Sequence, residues 1–369
     1  DILSGSFDFD GNGTADALTD GLMLLRYAFG LTGAAVTDGA IAGDSPMSSE
    51  EVLAALEIAS GSFADIDGNG VVDALTDGLM LLRSLFGLTG DAVISGAVGN
   101  GATRTTAADI DFIVFATLSP DMYFPGGGVQ VQDMLDMPTI GALDVRNQCS
   151  GFIYAMSVAD QFIKTGMYKN ILVIGSEHHS GGLEKSTRGR GVTVIFGDGA
   201  GAAVLSRCEE GGKGILSSHL HSEGKHAKQL VLEGPATQRW VPEILEKNDP
   251  EDISYYPYMN GPFVFKHAIT RFSQAIEEGL QANNLEKDDI DMLIPHQANL
   301  RIAQFIQKKF RLSDDQVYNN IMKYGNTTAA SVIIALTEAW EKGHIKDNDL
   351  VVLAAFGSGF TWGSVIIRW

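Results

Sequence analysis

Ile140-Gly141-Ala142-Leu143-Asp144-Val145-Arg146-Asn147-Gln148-Cys149-Ser150-Gly151-Phe152 is the stretch on which the reading of the fold turns. Ala142 to Val145 predicts a short strand, a sharp break follows, and Phe152, Met156, Ala159 and Phe162-Ile163 then recur at helical spacing. The pattern sets Cys149 at the mouth of a helix, where free N–H groups and the positive end of the dipole favour a thiolate. A thiol on a strand-to-helix elbow is a common way for an α/β sheet to present a nucleophile. The competing reading is a small buried cysteine that only packs.

An internal duplication weighs against that plainer reading. Asp109-Ile110-Asp111-Phe112-Ile113-Val114 returns as Asp289-Ile290-Asp291-Met292-Leu293-Ile294, each a predicted buried strand. Gly166 and Lys169, which lead into Ile171-Leu172-Val173-Ile174, lie 177 positions before Gly343 and Lys346, which lead into Leu350-Val351-Val352-Leu353. The same offset of 177 carries Cys149 onto Asn326, within Tyr324-Gly325-Asn326-Thr327-Thr328-Ala329-Ala330-Ser331. Two halves facing each other about a pseudo-twofold axis would bring a thiol and a carboxamide to one site. His296, in Pro295-His296-Gln297-Ala298-Asn299, follows the second copy of the strand and belongs at the same sheet edge.

From about Asp109 to Trp369 the chain resembles the thiolase-fold condensing enzymes, specifically β-ketoacyl-acyl-carrier-protein synthase III. The resemblance rests on Gln148 to Phe152, on Phe196-Gly197-Asp198-Gly199-Ala200-Gly201-Ala202-Ala203, on Pro295 to Asn299 and on Gly325 to Ser331. It also rests on Phe356-Gly357-Ser358-Gly359-Phe360-Thr361-Trp362-Gly363. It implies a duplicated α/β/α fold and a decarboxylative Claisen condensation of acyl-CoA with malonyl-acyl-carrier protein, the initiating step of fatty acid synthesis. Cys149 takes the acyl group, and His296 and Asn326 donate neutral hydrogen bonds to the enolate oxygen. The backbone N–H groups of Cys149 and Ser358 hold the tetrahedral oxyanion, with Ser358 standing where the family has a glycine.

By the same resemblance Arg190 stacks on the CoA adenine, and Asn299 and Arg301 line the pantetheine and phosphate path. Phe124 reaches across a homodimer interface into the partner's acyl pocket, and Lys266, Lys308 and Lys309 dock the acidic carrier protein. The alternatives read from the residues are loop packing for Phe124 and a solvated face for each lysine. Catalysis needs no cofactor. The family's opening strand, its first helix and its CoA-clamping tryptophan and arginine have no counterpart here, so the N-terminal half reads as incomplete. A first strand is expected at the centre of its sheet, with Ala92 to Val98 as a candidate substitute strand.

Composition divides the chain. Its 369 residues allow two or more domains, and its formal charge of -20 argues against a nucleic-acid partner. Residues 1–107 carry -12 of that charge, and every His and both Cys lie after them. Two cysteines, Cys149 and Cys208, make no disulfide framework, which suggests a reducing compartment such as the cytoplasm. No apolar run reaches membrane-spanning length. A first residue of Asp rather than Met reads as a fragment or a processed form.

Residues 1–90 form a tandem repeat. Asp8, Asp10, Asn12, Thr14 and Asp16 precede Ala17-Leu18-Thr19-Asp20-Gly21-Leu22-Met23-Leu24-Leu25-Arg26, and Asp65, Asp67, Asn69, Val71 and Asp73 precede the matching Ala74 to Arg83. Oxygen ligands at alternate positions with Gly at the sixth suit a calcium loop. The module resembles a dockerin-type pair of half EF-hands, small and all-α. Its closing acid, Asp20 or Asp77, comes one residue late. The alternative is a pair of solvated acidic turns capping amphipathic helices. Ser48-Ser49-Glu50-Glu51 reads as a capping box, residues 91–107 as a linker, and residues 108–207 and 208–369 as the two halves of the enzyme.

Gly197-Asp198-Gly199-Ala200-Gly201 lies between predicted strands, Val192 to Phe196 and Ala202 to Leu205, which argues for a glycine hairpin rather than a nucleotide loop. His178-His179, and His219, His221 and His226, lack metal-ligand spacing; solvated loops are the expectation for the last three. Other thiolase-fold enzymes remain as alternatives, although a thiolase wants a second cysteine near Gly357. A reading from another class is a calcium-dependent interaction module fused to an inactive ketosynthase remnant; calcium repeats suit an extracellular setting.

Overall fold

The computed structural model describes residues 7–61, 63–88, 91–100, 102, 109–208, 210–237 and 254–369. Contacts divide the chain into two compact units, Asp1–Ile110 with Asp133–Pro138 and Glu338–His344, and Asp111–Gln132 with Thr139–Thr337 and Ile345–Trp369. Among the described residues no helix is long and apolar enough to cross a membrane.

The first unit repeats one device twice. An Asp-rich loop runs into a π-turn, Ala17–Gly21 or Ala74–Gly78, and then into a short helix, α1 (Leu22–Ala28) or α4 (Leu79–Leu85). Asp16 and Asp73 cap the π-turns, accepting hydrogen bonds from the two N–H groups that follow Ala17 and Ala74. Between the copies lie α2 (Ala34–Thr37) and α3 (Ser49–Ser60), the latter opened by the reciprocal Ser48–Glu51 box. Phe9, Met23, Leu24, Val36, Val52, Leu56 and Leu81 share the core of this unit.

The repeats extend past residue 90, which corrects the linker boundary. Residues 91–94 form a helix, α5 (Asp91–Ile94), so Ala92 to Val98 is not a strand. Arg83 Nη1 donates to the Val93 and Ser95 carbonyls, both at 2.9 Å, as Arg26 Nη1 does to Val36 (3.1 Å) and Asp38 (2.9 Å). Residues 91–100 are therefore the tail of the second repeat. Of the remaining linker, residues 101 and 103–107 lie outside the described residues, as does residue 108 at the start of the enzyme half.

The second unit contains two four-stranded sheets. The first holds β1 (Phe112–Ala116), β2 (Gly141–Val145), β3 (Asn170–Glu177) and β4 (Gly199–Ser206) in the order β2-β1-β3-β4, with only β4 antiparallel. After a short pair, β6 (Leu230–Val231) with β7 (Tyr258–Met259), the second sheet completes the order β5-β10-β9-β8. Its strands are β5 (Gly214–Ser222), β8 (Met292–Pro295), β9 (Leu350–Gly357) and β10 (Thr361–Arg368). The helices are α6 (Gly127–Met134), α7 (Gly151–Lys164), α8 (Arg190–Thr193), α9 (Gly261–Ala282), α10 (Leu300–Phe310), α11 (Ile321–Tyr324) and α12 (Ala330–Glu341). The buried face of α7, with Phe152, Ile153, Met156 and Ala159, packs between the sheets, touching β1 and β3 on one side and β10 on the other. The long helix α9 covers the far face of the second sheet.

The duplication is visible in the hydrogen bonds. Asp111 accepts from Lys169 N (2.7 Å) and Asn170 N (3.1 Å), latching β1 to the start of β3. Asp291 accepts from Leu350 N at 2.7 Å and latches β8 to β9 in the same way. These two acids are the second Asp of each Asp-Ile-Asp copy.

Two expectations change here. The strand that opens the second sheet, β5, lies at the edge and pairs only with β10. By the duplication, the place of a first strand in the other half is beside β4, at an edge, not at the centre of the sheet. Among the described residues that edge of β4 is unpaired. Val192 to Phe196 is not a strand either, because α8 occupies its start and Phe196 makes only an isolated bridge with Asn326.

Candidate active site

Cys149 sits in a 3-10 turn, Gln148–Ser150, that winds directly into α7. Gln148 adopts a positive φ of 45°, a conformation held in place by the surrounding packing. Ser150 anchors the turn through Thr361 on β10, with their hydroxyls 2.7 Å apart. A Cβ on Gly357 would lie 2.5 Å from the Cys149 Cβ and 3.0 Å from its sulfur, so only glycine lets β9 approach the nucleophile this closely. Burial, followed by the negative charge of Glu177, pushes the thiol up to about 12, while the N–H groups of Ser358 and Cys149 itself pull the other way. The helix mouth therefore does not by itself give a resting thiolate; desolvation outweighs it.

His296 leaves the end of β8 with its N–H on the Ala354 carbonyl at 2.8 Å. The ring is 3% exposed, and burial lowers its pKa to about 3, so the imidazole is neutral. Nδ1 lies 2.6 Å from Ser331 Oγ, and the buried Nε2 makes no hydrogen bond among the described residues. Gln297 braces this corner, accepting from Asn320 N (3.0 Å) and Ile321 N (3.1 Å) and donating to the Pro295 carbonyl at 2.7 Å.

Asn326 is pinned by its backbone across the duplication. It donates to the Ile195 carbonyl (2.8 Å) and accepts from Gly197 N (3.1 Å). Its Oδ1 accepts from Thr328 N at 2.9 Å, which leaves Nδ2 as the donating end of the carboxamide. Any side chain at Gly197 would collide with the Tyr324 carbonyl, a reason for glycine in the Phe196–Gly201 motif that is independent of nucleotide binding.

Cys149, His296 and Asn326 line one cavity of about 350 Å³. Asn299 and Arg301 border it, and Leu230, Met259, Val264, Phe265, Ala268, Phe272 and Ile302 give it apolar walls. Ser358 places its backbone at Cys149 and its hydroxyl on the Leu230 carbonyl. Arg190 lies on α8 and Phe124 is 85% exposed; neither lines the cavity. Lys266 is exposed on α9, and Lys308 and Lys309 are exposed on α10, where Lys309 pairs with Glu277 at 2.8 Å.

The histidines read as solvated loops are placed differently. His219 and His221 lie on β5 and face Glu278, at 3.4 and 2.6 Å, and His226 packs against Phe263 and His267. The sequence reading also passed over Glu177, 3% exposed at the end of β3, and the role of His179, whose Nε2 lies 2.6 Å from Thr328 Oγ1. The available signal was their position after the buried β3 run, at the same sheet edge as the nucleophile.

In the first unit, the ligand atoms of Asp8, Asp10 and Asp20 lie within 4.8 Å of one another, as do those of Asp65, Asp67 and Asp77. The late acid joins the cluster because the π-turn adds a residue. Gly21 N–H reaches back five residues to the Asp16 carbonyl (3.0 Å), and Asp20 Oδ1 then accepts from Phe9 N at 2.7 Å. Asp16 and Asp73, expected as ligands, cap the turns and stay outside both clusters.

A family model described as 3-oxoacyl-(acyl-carrier-protein) synthase III C terminal matches residues 280–369, and one described as 3-oxoacyl-(acyl-carrier-protein) synthase III matches residues 143–224. A β-ketoacyl-acyl-carrier-protein synthase III from Caldanaerobacter subterraneus subsp. tengcongensis is 46% identical over 264 residues, covering 71% of this chain and 77% of its own. Another, from Aliivibrio fischeri, is 45% identical over 260 residues, covering 70% and 77%. The solved 3-oxoacyl-(acyl-carrier-protein) synthase III from Aquifex aeolicus VF5 matches with a TM-score of 0.64 at 37% identity, covering 71% of this chain and 78% of that one.

Proposed function

The chain belongs to the β-ketoacyl-acyl-carrier-protein synthase III family, and from that premise we propose that it condenses acyl-CoA with malonyl-acyl-carrier protein and so initiates fatty acid synthesis. The observation that carries the proposal is the convergence of Cys149, His296 and Asn326 on one cavity from three distant parts of the chain.

The Cys149 sulfur attacks the acyl-CoA thioester and gives up its proton to the departing CoA sulfur, so the acyl group passes to Cys149 and CoA leaves as its thiol. The acyl carbon's oxyanion is held by the N–H groups of Cys149 and Ser358, both already directed at the sulfur. Malonyl-carrier protein then loses CO2, and the enolate oxygen accepts from Asn326 Nδ2 and His296 Nε2. Ser331 Oγ stands between His296 Nδ1 (2.6 Å) and the Thr328 carbonyl (3.0 Å). The Ser331 hydroxyl donates to the Thr328 carbonyl; when its proton turns to Nδ1 instead, the ring proton sits on Nε2, where it can donate. The enolate carbon attacks the acyl carbon, the C–S bond to Cys149 breaks, and the β-ketoacyl product departs while the Cys149 thiolate takes a proton from solvent.

Arg190, Asn299 and Arg301 serve the CoA and pantetheine arm in this reading, and Lys266, Lys308 and Lys309 serve the carrier protein. The working form is a homodimer in the cytoplasm, with the exposed Met122, Tyr123 and Phe124 at the subunit contact. Intact-mass measurement after exposure to acyl-CoA tests the reaction. Acylation confined to Cys149, followed by deacylation when malonyl-carrier protein is added, is the expected result; an unacylated Cys149 in folded protein overturns it.

For the first unit we infer two calcium sites in a dockerin-like module. The donor set fits a hard cation, since both triads are carboxylates and no basic side chain pairs with them among the described residues. Burial, reinforced by the charge of Asp10, raises the Asp20 carboxyl, as expected for acids gathered without a counter-charge. Asp8, Asp10, Asn12, the Thr14 backbone and Asp20 would hold one ion, and Asp65, Asp67, Asn69, the Val71 backbone and Asp77 the other. Calorimetric titration with Ca2+ is expected to give two ions per chain; no heat and no thermal shift would remove the inference.

A further inference from the structure

Glu177 ends β3 with four donors on one carboxylate. Ser119 Oγ lies at 2.6 Å, Leu118 N at 3.2 Å, Thr117 Oγ1 at 3.3 Å and Ala329 N at 3.3 Å. Three of these come from the segment after β1, in the half that carries the thiol. The fourth comes from the Asn326–Ala329 turn, in the half that carries the carboxamide. Two glycines hold that turn close. A Cβ on Gly175 would lie 2.8 Å from the Ala329 carbonyl oxygen, and one on Gly151 would lie 3.2 Å from the Ala329 Cβ. His179, two residues on, grips the adjoining Thr328 at 2.6 Å. Thr328 has a positive φ of 49°, a strained conformation that needs such support.

Resting on the condensing-enzyme reading, we propose that Glu177 is a positioning residue. Its carboxylate ties the turn bearing Asn326 to the strand end beside Cys149, so that the enolate held by the carboxamide meets the acyl carbon held by the sulfur. All four partners are donors, so the ionised form satisfies the cluster, and no basic side chain shares it among the described residues. Burial raises its pKa to about 6, with the donors acting in the opposite direction, so the group is a carboxylate at neutral pH. That charge reaches the sulfur, where it disfavours the thiolate. A glutamine at this position offers one acceptor oxygen and confronts the remaining N–H donors with an NH2 group, so at least one tie is lost.

The test uses Glu177→Gln in the full chain. Acyl-CoA is expected to acylate Cys149 still, by intact mass, while kcat for condensation falls on the order of a hundredfold with little change in KM for malonyl-carrier protein. Alkylation of Cys149 by iodoacetamide is expected to shift to lower pH, because the neighbouring charge has gone; a purely structural role would leave that profile in place. Glu177→Asp keeps the charge, and should keep the wild-type alkylation profile and recover part of kcat. If circular dichroism shows Glu177→Gln unfolded, Ser119→Ala replaces it, removing one donor, and a smaller fall in kcat is expected. Wild-type condensation with an unmoved alkylation profile in the folded variant overturns the proposal. Absence of acylation in the wild type is a separate result, and overturns the functional reading beneath it.

Discussion

The first hundred residues and the remainder of the chain are both duplications, and they use duplication differently. In the first unit each copy keeps the same residues in the same bonds: Asp20 and Asp77 close their loops, and Arg26 and Arg83 fasten the following helix. In the second unit the copies share a scaffold, down to the Asp111 and Asp291 latches, but differ where the chemistry lies, with Cys149 at one helix mouth and Asn326 at the other. Where each copy performs a whole task, its residues repeat. Where, in the proposed reaction, one task is divided between copies, the scaffold repeats and the residues at the two helix mouths diverge.

The comparison breaks most visibly if the divided residues prove interchangeable. Cys149→Ala is expected to abolish the acyl-enzyme and reduce condensation by at least about a thousandfold. Asn326→Ala is expected to leave acylation intact and lower condensation roughly a hundredfold to a thousandfold, the scale of losing one oxyanion donor. Intact mass separates the two steps. If both variants lose the same step, the division of labour between the halves is wrong.

The repeated residues should behave in the opposite way. Asp20→Ala and Asp77→Ala are each expected to reduce bound calcium from two ions to one, by equal amounts. Each site, with calcium at a hundred times its Kd, should contribute about 2.7 kcal/mol to stability in thermal melts. A large inequality between the two variants would show that the copies are not equivalent. The two latches offer a smaller, symmetrical effect: Asp111→Ala and Asp291→Ala should each cost about 1.5–3 kcal/mol in denaturant unfolding, the range for hydrogen bonds to a charged group.

Much of this was legible because it depends on spacing. A constant offset of 177 carried Cys149 onto Asn326, and the strand-break-helix pattern fixed the elbow. What sequence did not reveal depends on distances between elements. Desolvation of the thiol follows from Gly357 closing over it, and nothing local to Cys149 signals that contact. Glu177 is unremarkable along the chain and becomes central only when Ala329 folds onto it. The late acids at Asp20 and Asp77 violated the loop spacing because a linear count cannot anticipate a π-turn. The first strand was misplaced because sheet order is not sequence order; β5, first in its half, lies at the edge.

The smallest expected effect separates the buried carboxyl from the buried histidines by sign. Glu177, in the first half, has a folded pKa of about 6, above its ordinary 4.5. Its protonated form is favoured by folding, so its contribution is complete below pH 4.5 and is lost as pH rises through 6. His296, in the second half, is lowered from 6.5 to about 3, so its contribution is complete above pH 6.5 and is lost as pH falls toward 3. Buried His179, lowered to about 4, acts in the same direction as His296. Between pH 7 and 6 each histidine's part amounts to under about 1 kcal/mol, growing as the medium becomes more acid. Urea unfolding across this range should therefore show a steeper acid limb in wild type than in His296→Asn, whereas Glu177→Gln should flatten the opposing decline toward pH 6. Parallel shifts of both variants at every pH would mean that neither group titrates differently in the folded chain, and that the buried edge where the halves meet is wetter than its geometry implies.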